Sequence, residues 1–305
     1  MAAPPHPIPY QGSKRRLASA ILGFVPTRVS TLVEPFAGSA AITLAAANRS
    51  IARRYLLGEK LKALAQLWTE ILRDPSSVAD CYEQHWNAQI REGPANYFLQ
   101  ARKRFNECHD PATLLYLLVR CVKNAVRFNP KGEFNQSPDH RRLGMRPEKM
   151  RRELAGASSL LSGKAEVLEA DYQVLLEMAD PGDLVYLDPP YQGVSGGKDP
   201  RYIEGLDLTR LYDNLEALSR RDVPFVLSFD GSCGTKEYGV LIPAELRLTR
   251  VLVDAGVSSQ ATLAGRSERT IESVYLSHTL VGSRTDLPER ISIEAREAQT
   301  TLDIS

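Results

Sequence analysis

Cysteine is scarce in this chain of 305 residues, and the few that occur form no familiar pattern. No two of the four cysteines make a CxxC pair, and the five histidines do not complete a metal-ligand spacing. The cysteines are Cys81, Cys108, Cys121 and Cys233. We therefore expect reduced thiols and no structural metal.

Long apolar runs are also absent. No run approaches the roughly 18 residues that a membrane span needs, and residues 1–7 lack the basic and then apolar pattern of a secretion signal. Hydrophobic residues make up 43% and charged residues 25% of the chain, which is an ordinary globular composition. We expect a cytoplasmic protein without a membrane partner, built as one large α/β domain or as a domain with an insert.

Strand and helix patterns alternate in the first and last parts of the chain. Thr31–Phe36 and Arg54–Gly58 have strand patterns, and helix patterns that end near Asn48 and Leu72 follow them. After residue 147 the predicted elements are strands at Ala165–Leu168, Leu184–Leu187, Phe225–Phe229, Leu246–Val253 and Thr270–Leu276, with a helix at Thr209–Arg220. This alternation predicts βαβ units and a mainly parallel sheet.

The middle of the chain differs, because it has no convincing strand alternation. Its patterns predict helices at Tyr82–Asn87, Ala95–Asn106 and Pro111–Val126, followed by a polar loop at Arg127–Pro138. The predicted organisation is a domain formed by residues 1–73 and 148–280, an inserted helical subdomain at 74–147, and a polar tail at 281–305 whose order the sequence leaves open.

The most informative motif is Asp188-Pro189-Pro190-Tyr191, which directly follows the hydrophobic run Leu184–Leu187. This layout predicts a buried strand that ends in a carboxylate, two rigid prolines and an aromatic ring. Because prolines fix φ and carry no N–H, the loop is stiff and its carbonyls stay free to accept hydrogen bonds. These groups suit a planar base with an exocyclic amino group, such as adenine or cytosine. A simple strand-ending signal is the alternative interpretation.

A second motif, Glu34-Pro35-Phe36-Ala37-Gly38-Ser39, lies at the carboxyl end of the first predicted strand, where open α/β sheets bind ligands. Gly38 would allow close approach of a small molecule, and Glu59, after the next strand, is placed to accept hydrogen bonds from a ribose diol. The sequence has no Walker A or GxGxxG fingerprint, which argues against a nucleotide-hydrolysing or redox cofactor. An adenosyl ligand with an amino-acid end fits better.

Positive charge is concentrated in one segment although the net charge is only +1. Between Arg120 and Arg152 there are ten Lys and Arg residues and three acidic ones. Such a local excess is what a protein uses to neutralise nucleic-acid phosphates, and a solvated helix face is the alternative interpretation.

Four motifs occur in a characteristic order: Tyr10-Gln-Gly-Ser-Lys14, Glu34–Ser39, Arg127-Phe-Asn-Pro-Lys-Gly-Glu-Phe-Asn135 and Asp188–Tyr191. In this order they resemble the motifs of the Dam-like DNA adenine-N6 methyltransferases, over about residues 8–278. The resemblance implies a Rossmann-like catalytic domain that depends on S-adenosylmethionine. It also implies a target-recognition region inserted between the two halves of that domain, where the helical segment 74–147 lies.

The resemblance implies roles for individual residues. Tyr10 and Lys14 would close over the cofactor, with Lys14 near its methionine carboxylate, and Asp188 would lie between the cofactor and the target base. The remaining cofactor-binding residues would be Glu34, Pro35, Phe36, Gly38 and Ser39 along the methionine and adenosine path, Glu59 at the ribose, and Asp171 at the adenine amino group. The alternatives are packing for Tyr10, a surface charge for Lys14 and a helix N-cap for Asp171.

The chain departs from the family pattern at three positions. Ser13 stands where a second glycine is usual, Ala40 follows Ser39 where glycine is frequent, and Glu59 replaces the more usual aspartate. Ser13 and Ala40 are small enough to preserve backbone approach, and the longer Glu59 side chain can still reach a ribose.

The catalytic hypothesis concerns Asp188, Pro189 and Tyr191. The Asp188 side chain and the Pro189 carbonyl would accept the two hydrogens of the adenine amino group, so that methyl transfer is direct. The base would be flipped out of double-stranded DNA and stacked on Tyr191.

DNA contact is expected within Lys123–Arg146. Candidate partners of phosphate or guanine are Arg127, Lys131, Arg141, Arg142 and Arg146, and candidate base readers are Asn124, Asn135 and Gln136. The alternative for the Phe128–Phe134 loop is a structural hairpin that packs on the catalytic domain, and the two roles can coexist.

Three other functions stay open. N4-cytosine methylation is disfavoured because family members that methylate cytosine more often carry serine in place of Asp188. RNA adenine methylation is disfavoured because relatives that act on RNA often carry asparagine at that position. A non-catalytic DNA-binding module is the third, and the presence of Lys14, Glu59, Asp188 and Tyr191 argues against it. A restriction endonuclease acting on the same sites is a compatible partner, and a monomer would suffice for the chemistry.

Overall fold

The computed structural model describes residues 3–190, 206–233, 236–238, 240–257, 269–282 and 288–292. Within these residues nine strands form one sheet. The strands are β1 (Val29–Glu34), β2 (Ala52–Glu59), β3 (Ala165–Glu169), β4 (Leu184–Leu187), β5 (Phe225–Cys233), β6 (Lys236–Tyr238), β7 (Thr249–Val257), β8 (Arg269–Leu276) and β9 (Arg290–Ser292).

Ten α-helices occur in the described ranges. They are α1 (Ala18–Ile21), α2 (Ala41–Asn48), α3 (Lys62–Arg73), α4 (Pro75–Glu92), α5 (Pro94–Cys108), α6 (Pro111–Arg120), α7 (Pro147–Leu161), α8 (Tyr172–Met178), α9 (Leu208–Arg220) and α10 (His278–Val281). No helix in the described part of the chain combines the length and apolar character that crossing a membrane requires.

The sheet order is β3-β2-β1-β4-β5-β8-β7-β9, with β6 paired to β5. The first five strands of this order are parallel, and β8 runs antiparallel to both β5 and β7. The chain leaves β1 toward β2 and β3 on one side and returns to β4 on the other side of β1. The carboxyl ends of β1 and β4 therefore flank a topological switch point, where open α/β sheets bind ligands. The predicted α/β, Rossmann-like fold class is confirmed.

Hydrophobic cores cover both faces of the sheet. On one face Leu32 and Tyr186 pack with the helices α1–α7, and on the other Val33, Val185 and Leu187 pack with α8 and α9. The alternation follows from strand geometry, because successive side chains point to opposite faces.

The helices α4 to α7 begin in a uniform way. Each has proline at its first position, where the missing N–H would have had no helical partner. The Asp74 and Asp110 side chains cap α4 and α6 by accepting the backbone N–H of Ser77 and Thr113. One continuous core runs from Trp68 on α3 to residues on these helices. The segment 74–147 therefore shares its core with the cofactor half of the predicted catalytic domain.

Several predicted boundaries were wrong. The helix predicted to reach Val126 ends at Arg120, because Cys121 bridges to Pro138 and the chain then turns with positive φ at Lys123 and Asn124. The helix predicted at Tyr82–Asn87 extends over Pro75–Glu92. The tail begins with Val281, the last residue of α10, and contributes the short strand β9, which pairs in parallel with β7.

Candidate active site

Asp188 follows β4 directly and is held by a lysine from the N-terminal segment. Lys14 Nζ lies 2.8 Å from Asp188 Oδ1 and 3.5 Å from Glu272 Oε2, and it donates to the Gly12 carbonyl at 3.3 Å. The Lys14 side chain is only 4% exposed, whereas that of Asp188 is 20% exposed. Lys14, which was predicted to close over the cofactor, thus forms a direct ion pair with Asp188, the carboxylate that was predicted to be catalytic.

This cluster places one cation among two carboxylates in a poorly solvated site. Burial raises the pKa of Asp188 to about 6, and Lys14 opposes part of that shift. Burial would lower the pKa of Lys14, but Asp188 and Glu272 together raise it above its ordinary value. At neutral pH Lys14 is therefore charged and Asp188 is mostly ionised.

The turn after β1 is shaped by a glycine. Gly38 has φ of +48°, and a Cβ atom there would lie 3.4 Å from the Tyr10 ring. Its carbonyl accepts the Trp68 indole N–H at 2.9 Å, and its N–H donates to Glu59 Oε2 at 3.2 Å. These contacts bring together Tyr10, Gly38 and Glu59, which were predicted to bind the cofactor.

The departures from the family pattern have local explanations. The Ser39 hydroxyl donates to the Ser13 hydroxyl at 2.8 Å, so the serine at position 13 ties the N-terminal motif to the turn after β1. Ala40 has φ of +48° in the left-handed region, which accounts for glycine being frequent there. Ala40 immediately precedes α2, so the strained residue sets the direction of that helix.

Glu34 is the last residue of β1 and is almost completely buried. Its Oε2 accepts the backbone N–H of Thr43, in the first turn of α2, at 2.9 Å. Burial raises the pKa of Glu34 to about 8, although the bond from Thr43 opposes the shift. Glu34 therefore binds a proton at neutral pH.

Glu59 and Asp171 end neighbouring strands on the same side of the switch point. Glu59 Oε1 accepts the Leu61 N–H at 2.9 Å, and burial raises the pKa of Glu59. Asp171 caps α8, because its Oδ1 accepts the Gln173 N–H at 3.3 Å, and its Oδ2 lies 3.5 Å from Lys60 Nζ. The N-cap interpretation of Asp171 is correct, and the same side chain lines a cavity.

Two adjoining cavities lie over these strand ends. The larger measures about 220 Å³ and is lined by Pro35, Glu59, Asp171 and Tyr172 among others. The smaller measures about 90 Å³, and its lining includes Lys14, Glu34, Ser39 and Pro189. Both cavities contact Tyr10, Phe36, Gly38, Asp188 and Pro190. Every residue predicted to bind the cofactor lines at least one cavity, and Asp188 is common to both.

Other residues at this site were missed by the sequence analysis. Tyr172 stacks on Phe36 with ring centroids 5.1 Å apart, and Lys60, Leu206, Asp207 and Arg210 complete the larger cavity. Only Tyr172 had a signal, because it directly follows the predicted Asp171. Tyr191 lies outside the described residues.

The predicted base readers occupy different environments. Asn124 donates its side-chain amide to the Leu118 carbonyl at 2.8 Å, at the end of α6, and Gln136 donates to the Val122 carbonyl at 3.2 Å. Gln136 is buried, whereas Asn135 is exposed. Asn124 and Gln136 therefore support the loop, and Asn135 presents its side chain to solvent.

The Phe128–Phe134 loop is anchored on the helical segment. Phe134 is buried against Phe105 of α5, and the Asn106 side chain both donates to the Phe134 carbonyl and accepts its N–H. Asn129 Oδ1 accepts the N–H of Lys131 at 2.9 Å. The predicted structural hairpin exists, and its tip exposes Lys131. These anchoring contacts are to α5 of the helical segment, whereas the prediction placed the hairpin against the catalytic domain.

The arginines of the basic segment divide into buried and exposed groups. Arg120 is buried and donates to the Gln89 side chain at 2.7 Å and to the carbonyls of Asp139 and Arg142, so it holds the loop together. Arg141 and Arg142 are exposed and both contact the buried Asp139. Burial would raise the pKa of Asp139, but the hydrogen bonds from these arginines lower it to about 2.

The other predicted DNA contacts are less constrained. Arg146 is exposed, and Arg127 is half-buried with no hydrogen-bond partner for its buried Nε. Lys131, Arg141, Arg142 and Arg146 therefore form the exposed cationic surface of the loop.

The described cysteines are unpaired. Cys81, Cys108 and Cys121 are free thiols, and the side chain of Cys233 lies outside the described residues. Among the residues that the structure describes, no group of three His, Cys, Asp or Glu side chains is arranged to hold a metal ion.

Five parallel strands with an acidic, proline-containing loop at their switch point are typical of Rossmann-like enzymes. Residues 10–228 match the model of the D12 class N6 adenine-specific DNA methyltransferases. The match covers well over half of the chain, so the chain belongs to this family. The resemblance drawn from the four motifs is confirmed, and so is the methyltransferase version of the fold class.

Individual relatives are about a quarter identical to this chain over the residues that align. The DNA N-6-adenine-methyltransferase of Escherichia phage P1 is 25% identical over 241 residues, which is 75% of this chain and 30% of that protein. The DNA adenine methylase of Haemophilus influenzae is 27% identical over 186 residues, 60% of this chain and 62% of that protein. The Retron Ec67 DNA adenine methylase of Escherichia coli is 28% identical over 228 residues, 72% and 75% respectively. The chain spans less than two thirds of the length of the first two relatives.

Proposed function

We propose that this protein transfers a methyl group from S-adenosylmethionine to N6 of adenine in double-stranded DNA. The observation that carries the proposal is the position of Asp188. This carboxylate ends β4 at the switch point, lines both cavities and precedes two prolines that leave carbonyls free. Membership of the D12 family supports the same reaction.

The larger cavity fits the adenosine part of the cofactor. Tyr172 and Phe36 offer stacked aromatic surfaces, Glu59 offers carboxylate oxygens for a ribose diol, and Asp171 offers an acceptor for the adenine amino group. The close packing of Tyr10 over Gly38 forms one wall.

The smaller cavity fits the amino-acid part of the cofactor. Its polar groups include the Lys14 ammonium, which is suited to a carboxylate, and the paired hydroxyls of Ser13 and Ser39. When bound, the cofactor would supply a methyl group activated by a positively charged sulfur. We also propose that a monomer would suffice for this chemistry.

The protein's own contribution would be to orient and polarise the base. The adenine amino nitrogen is a poor nucleophile because its lone pair is delocalised into the ring. Asp188 would accept one amino hydrogen and the Pro189 carbonyl the other, which directs the lone pair out of the ring toward the methyl group. This role requires the ionised form of Asp188, and it rests on positioning and electrostatics rather than on a covalent intermediate.

The target base would leave the duplex to reach Asp188, because the amino group is otherwise paired and stacked. Tyr191 is proposed as its stacking platform from its place in the motif. The exposed cations Lys131, Arg141, Arg142 and Arg146 would contact the DNA, and Asn135 would face the bases. The segment 74–147 is thus proposed as the target-recognition region.

The test is to identify the methylated nucleoside. Purified protein is incubated with labelled S-adenosylmethionine and, in parallel, with unmethylated duplex DNA or RNA of mixed sequence, and each product is digested to nucleosides. We expect N6-methyldeoxyadenosine from the DNA sample and no methylated nucleoside from the RNA sample. N4-methylcytosine would refute the assignment of the base, and a product only in RNA would refute that of the substrate. Cofactor binding without any product would indicate a binding module.

A further inference from the structure

Glu272 on β8 belongs to the candidate site although no sequence motif indicates it. Its Oε2 lies 3.5 Å from Lys14 Nζ, and its side chain is 19% exposed. Val274 and Leu276, at alternate positions of β8, lie in the core that contains Tyr186. Because alternate strand residues share a face, Glu272 points to the side of the sheet where Lys14 is buried.

The sheet is shaped locally around Glu272. The register of β5 and β8 shifts between Ser228 and Gly231, and Gly231 is the residue that pairs with Glu272. A Cβ atom on Gly231 would lie 2.5 Å from the Ile271 carbonyl, so only glycine permits this approach. Irregularities of this kind redirect side chains near active sites.

The ion pair of Lys14 conflicts with the reaction proposed above. Lys14 lies 2.8 Å from Asp188 Oδ1, and Asp188 is the group that would accept a hydrogen of the target amino group. Lys14 is too buried for water to replace a lost partner, and a buried charge without a partner is strongly unfavourable. Release of Asp188 from Lys14 therefore requires a second anion close by.

We propose that Glu272 is a positioning residue that draws the Lys14 ammonium away from Asp188 as the target base enters, leaving the Asp188 carboxylate to the amino group. The inference rests on the proposed methyl transfer to adenine. The Lys14 ammonium already lies within reach of both carboxylates and donates to the Gly12 carbonyl. A small rotation about the lysine side chain would exchange the near carboxylate for the far one.

Within the described part of the chain, four groups interact electrostatically with Asp188 or with its partner Lys14. They are Lys14 from the N-terminal segment, Glu272 on β8, Glu34 on β1 and Tyr186 on β4. Glu34 binds a proton at neutral pH and its carboxyl group accepts the Thr43 N–H, whereas Glu272 lies 3.5 Å from Lys14 Nζ, so Glu272 is the group that competes with Asp188 for Lys14. Removing its charge strengthens the Lys14–Asp188 pair.

The kinetic test compares Glu272→Gln, Glu272→Asp and Glu289→Gln. In Glu272→Gln we expect kcat to fall about ten- to a hundredfold. The reason is that the charge-assisted hydrogen bond between the target amino group and Asp188 would be weakened. The acid limb of the pH profile should move down by roughly one pH unit, because a like charge is lost beside Asp188. Glu272→Asp should restore part of both properties. The exposed Glu289 is the matched control for loss of one carboxylate.

The result that overturns the proposal is a lowered kcat with an unmoved acid limb, which a merely structural role would give. Unchanged kcat in Glu272→Gln also overturns the proposal. It would mean that the Lys14 ammonium moves from Asp188 directly to the cofactor's carboxylate. The dissociation constant of S-adenosylhomocysteine and the melting temperature, measured for each variant, separate these outcomes from misfolding.

A measurement without turnover makes the two proposals distinguishable. The Asp188 carboxyl carbon is followed by NMR in protein labelled at aspartate Cγ, and its signal is identified by its absence in Asp188→Asn. Its titration should move to lower pH in Glu272→Gln, and an unmoved titration overturns the sharing of Lys14 whatever the activity. A wild-type protein that methylates no DNA overturns the proposed function instead.

Discussion

At the scale of single residues, the site contains one buried and one partly buried carboxyl group, Glu34 and Asp188, whose surroundings give them different protonation states. Asp188 has a lysine partner at 2.8 Å and a pKa raised to about 6, whereas Glu34 is bonded to a backbone N–H and has a pKa raised to about 8. Near neutral pH one is therefore mostly ionised and the other protonated. This division suits Asp188 as the acceptor of amino hydrogens and Glu34 as a structural support for α2.

The first prediction concerns the pH dependence of catalysis. Asp188 must be ionised to accept an amino hydrogen, and its pKa is raised, so kcat/KM should fall about tenfold per pH unit below about pH 6. Initial rates of methyl transfer from pH 5 to 8.5 check this, with circular dichroism confirming the fold at each pH. An acid limb near pH 4 would contradict the burial of Asp188.

The second prediction concerns Glu34 and stability. Its folded pKa of about 8 exceeds its unfolded value, so the folded protein binds more protons between roughly pH 4.5 and 8. The stability that Glu34 contributes is complete below that window and is lost as pH rises through it. Glu34→Gln should therefore flatten the decline, which denaturant unfolding at pH 5, 7 and 9 would show. An equal decline in both proteins would contradict the assignment.

At the scale of elements, strand ends explain how much of the site the sequence could predict. Motifs that follow β1 and β4 directly, Glu34–Ser39 and Asp188–Pro190, were placed correctly at one edge of the sheet because parallel strands end together. Arg210 and Glu272 were not predicted, because their positions depend on how α9 and β8 return to that edge. Such tertiary placement leaves no signal in local spacing.

The helix predicted to reach Val126 shows a second limit. Apolar residues continue past Arg120 at Val122, Ala125 and Val126, so periodicity alone extends the helix. The chain turns instead, because Cys121 pairs with Pro138 and Asn124 donates its side chain to carbonyls at the end of α6. Periodicity detects neither the bridge to Pro138, which is distant in sequence, nor the side-chain cap from Asn124.

The third prediction concerns the turn after β1. In Gly38→Ala the added methyl group would meet the Tyr10 ring at 3.4 Å, and the backbone would keep an unfavourable positive φ. We expect a destabilisation of about 1 kcal/mol and weaker cofactor binding, measured by calorimetry with S-adenosylhomocysteine. Gly163→Ala, at a positive-φ position with open space around it, is the control for backbone strain alone. Equal effects on cofactor binding in both variants would contradict a role of Tyr10 packing.

At the scale of the whole molecule, charge is separated more clearly than the net value of +1 suggests. Lys131, Arg141, Arg142 and Arg146 are exposed, while Arg120, in the same basic segment, is buried and structural. Counting charges along the sequence therefore overstated how much positive charge this segment exposes. The helical segment that carries it shares a core with α3, which supports its coupling to the cofactor half.

The fourth prediction concerns DNA affinity. Lys131→Ala should weaken DNA binding at all sequences and lower the slope of log K against log salt by about one, the value for one lost phosphate contact. Lys164→Ala is the matched control, because Lys164 is exposed just before β3, at the opposite end of the strands from the site. Fluorescence anisotropy at several salt concentrations gives both slopes. Identical slopes for the two variants would place the DNA elsewhere.

The central claim is that Asp188 accepts hydrogens of a target adenine, and single-turnover methyl transfer by Asp188→Asn tests it most directly. The change keeps the side chain's shape but removes its charge, and Glu272 still pairs with Lys14. With saturating cofactor and duplex DNA, we predict a loss of rate on the order of a hundred- to a thousandfold, with both ligands still bound and N6-methyladenine as the wild-type product. Transfer by Asp188→Asn at the wild-type rate would contradict the account.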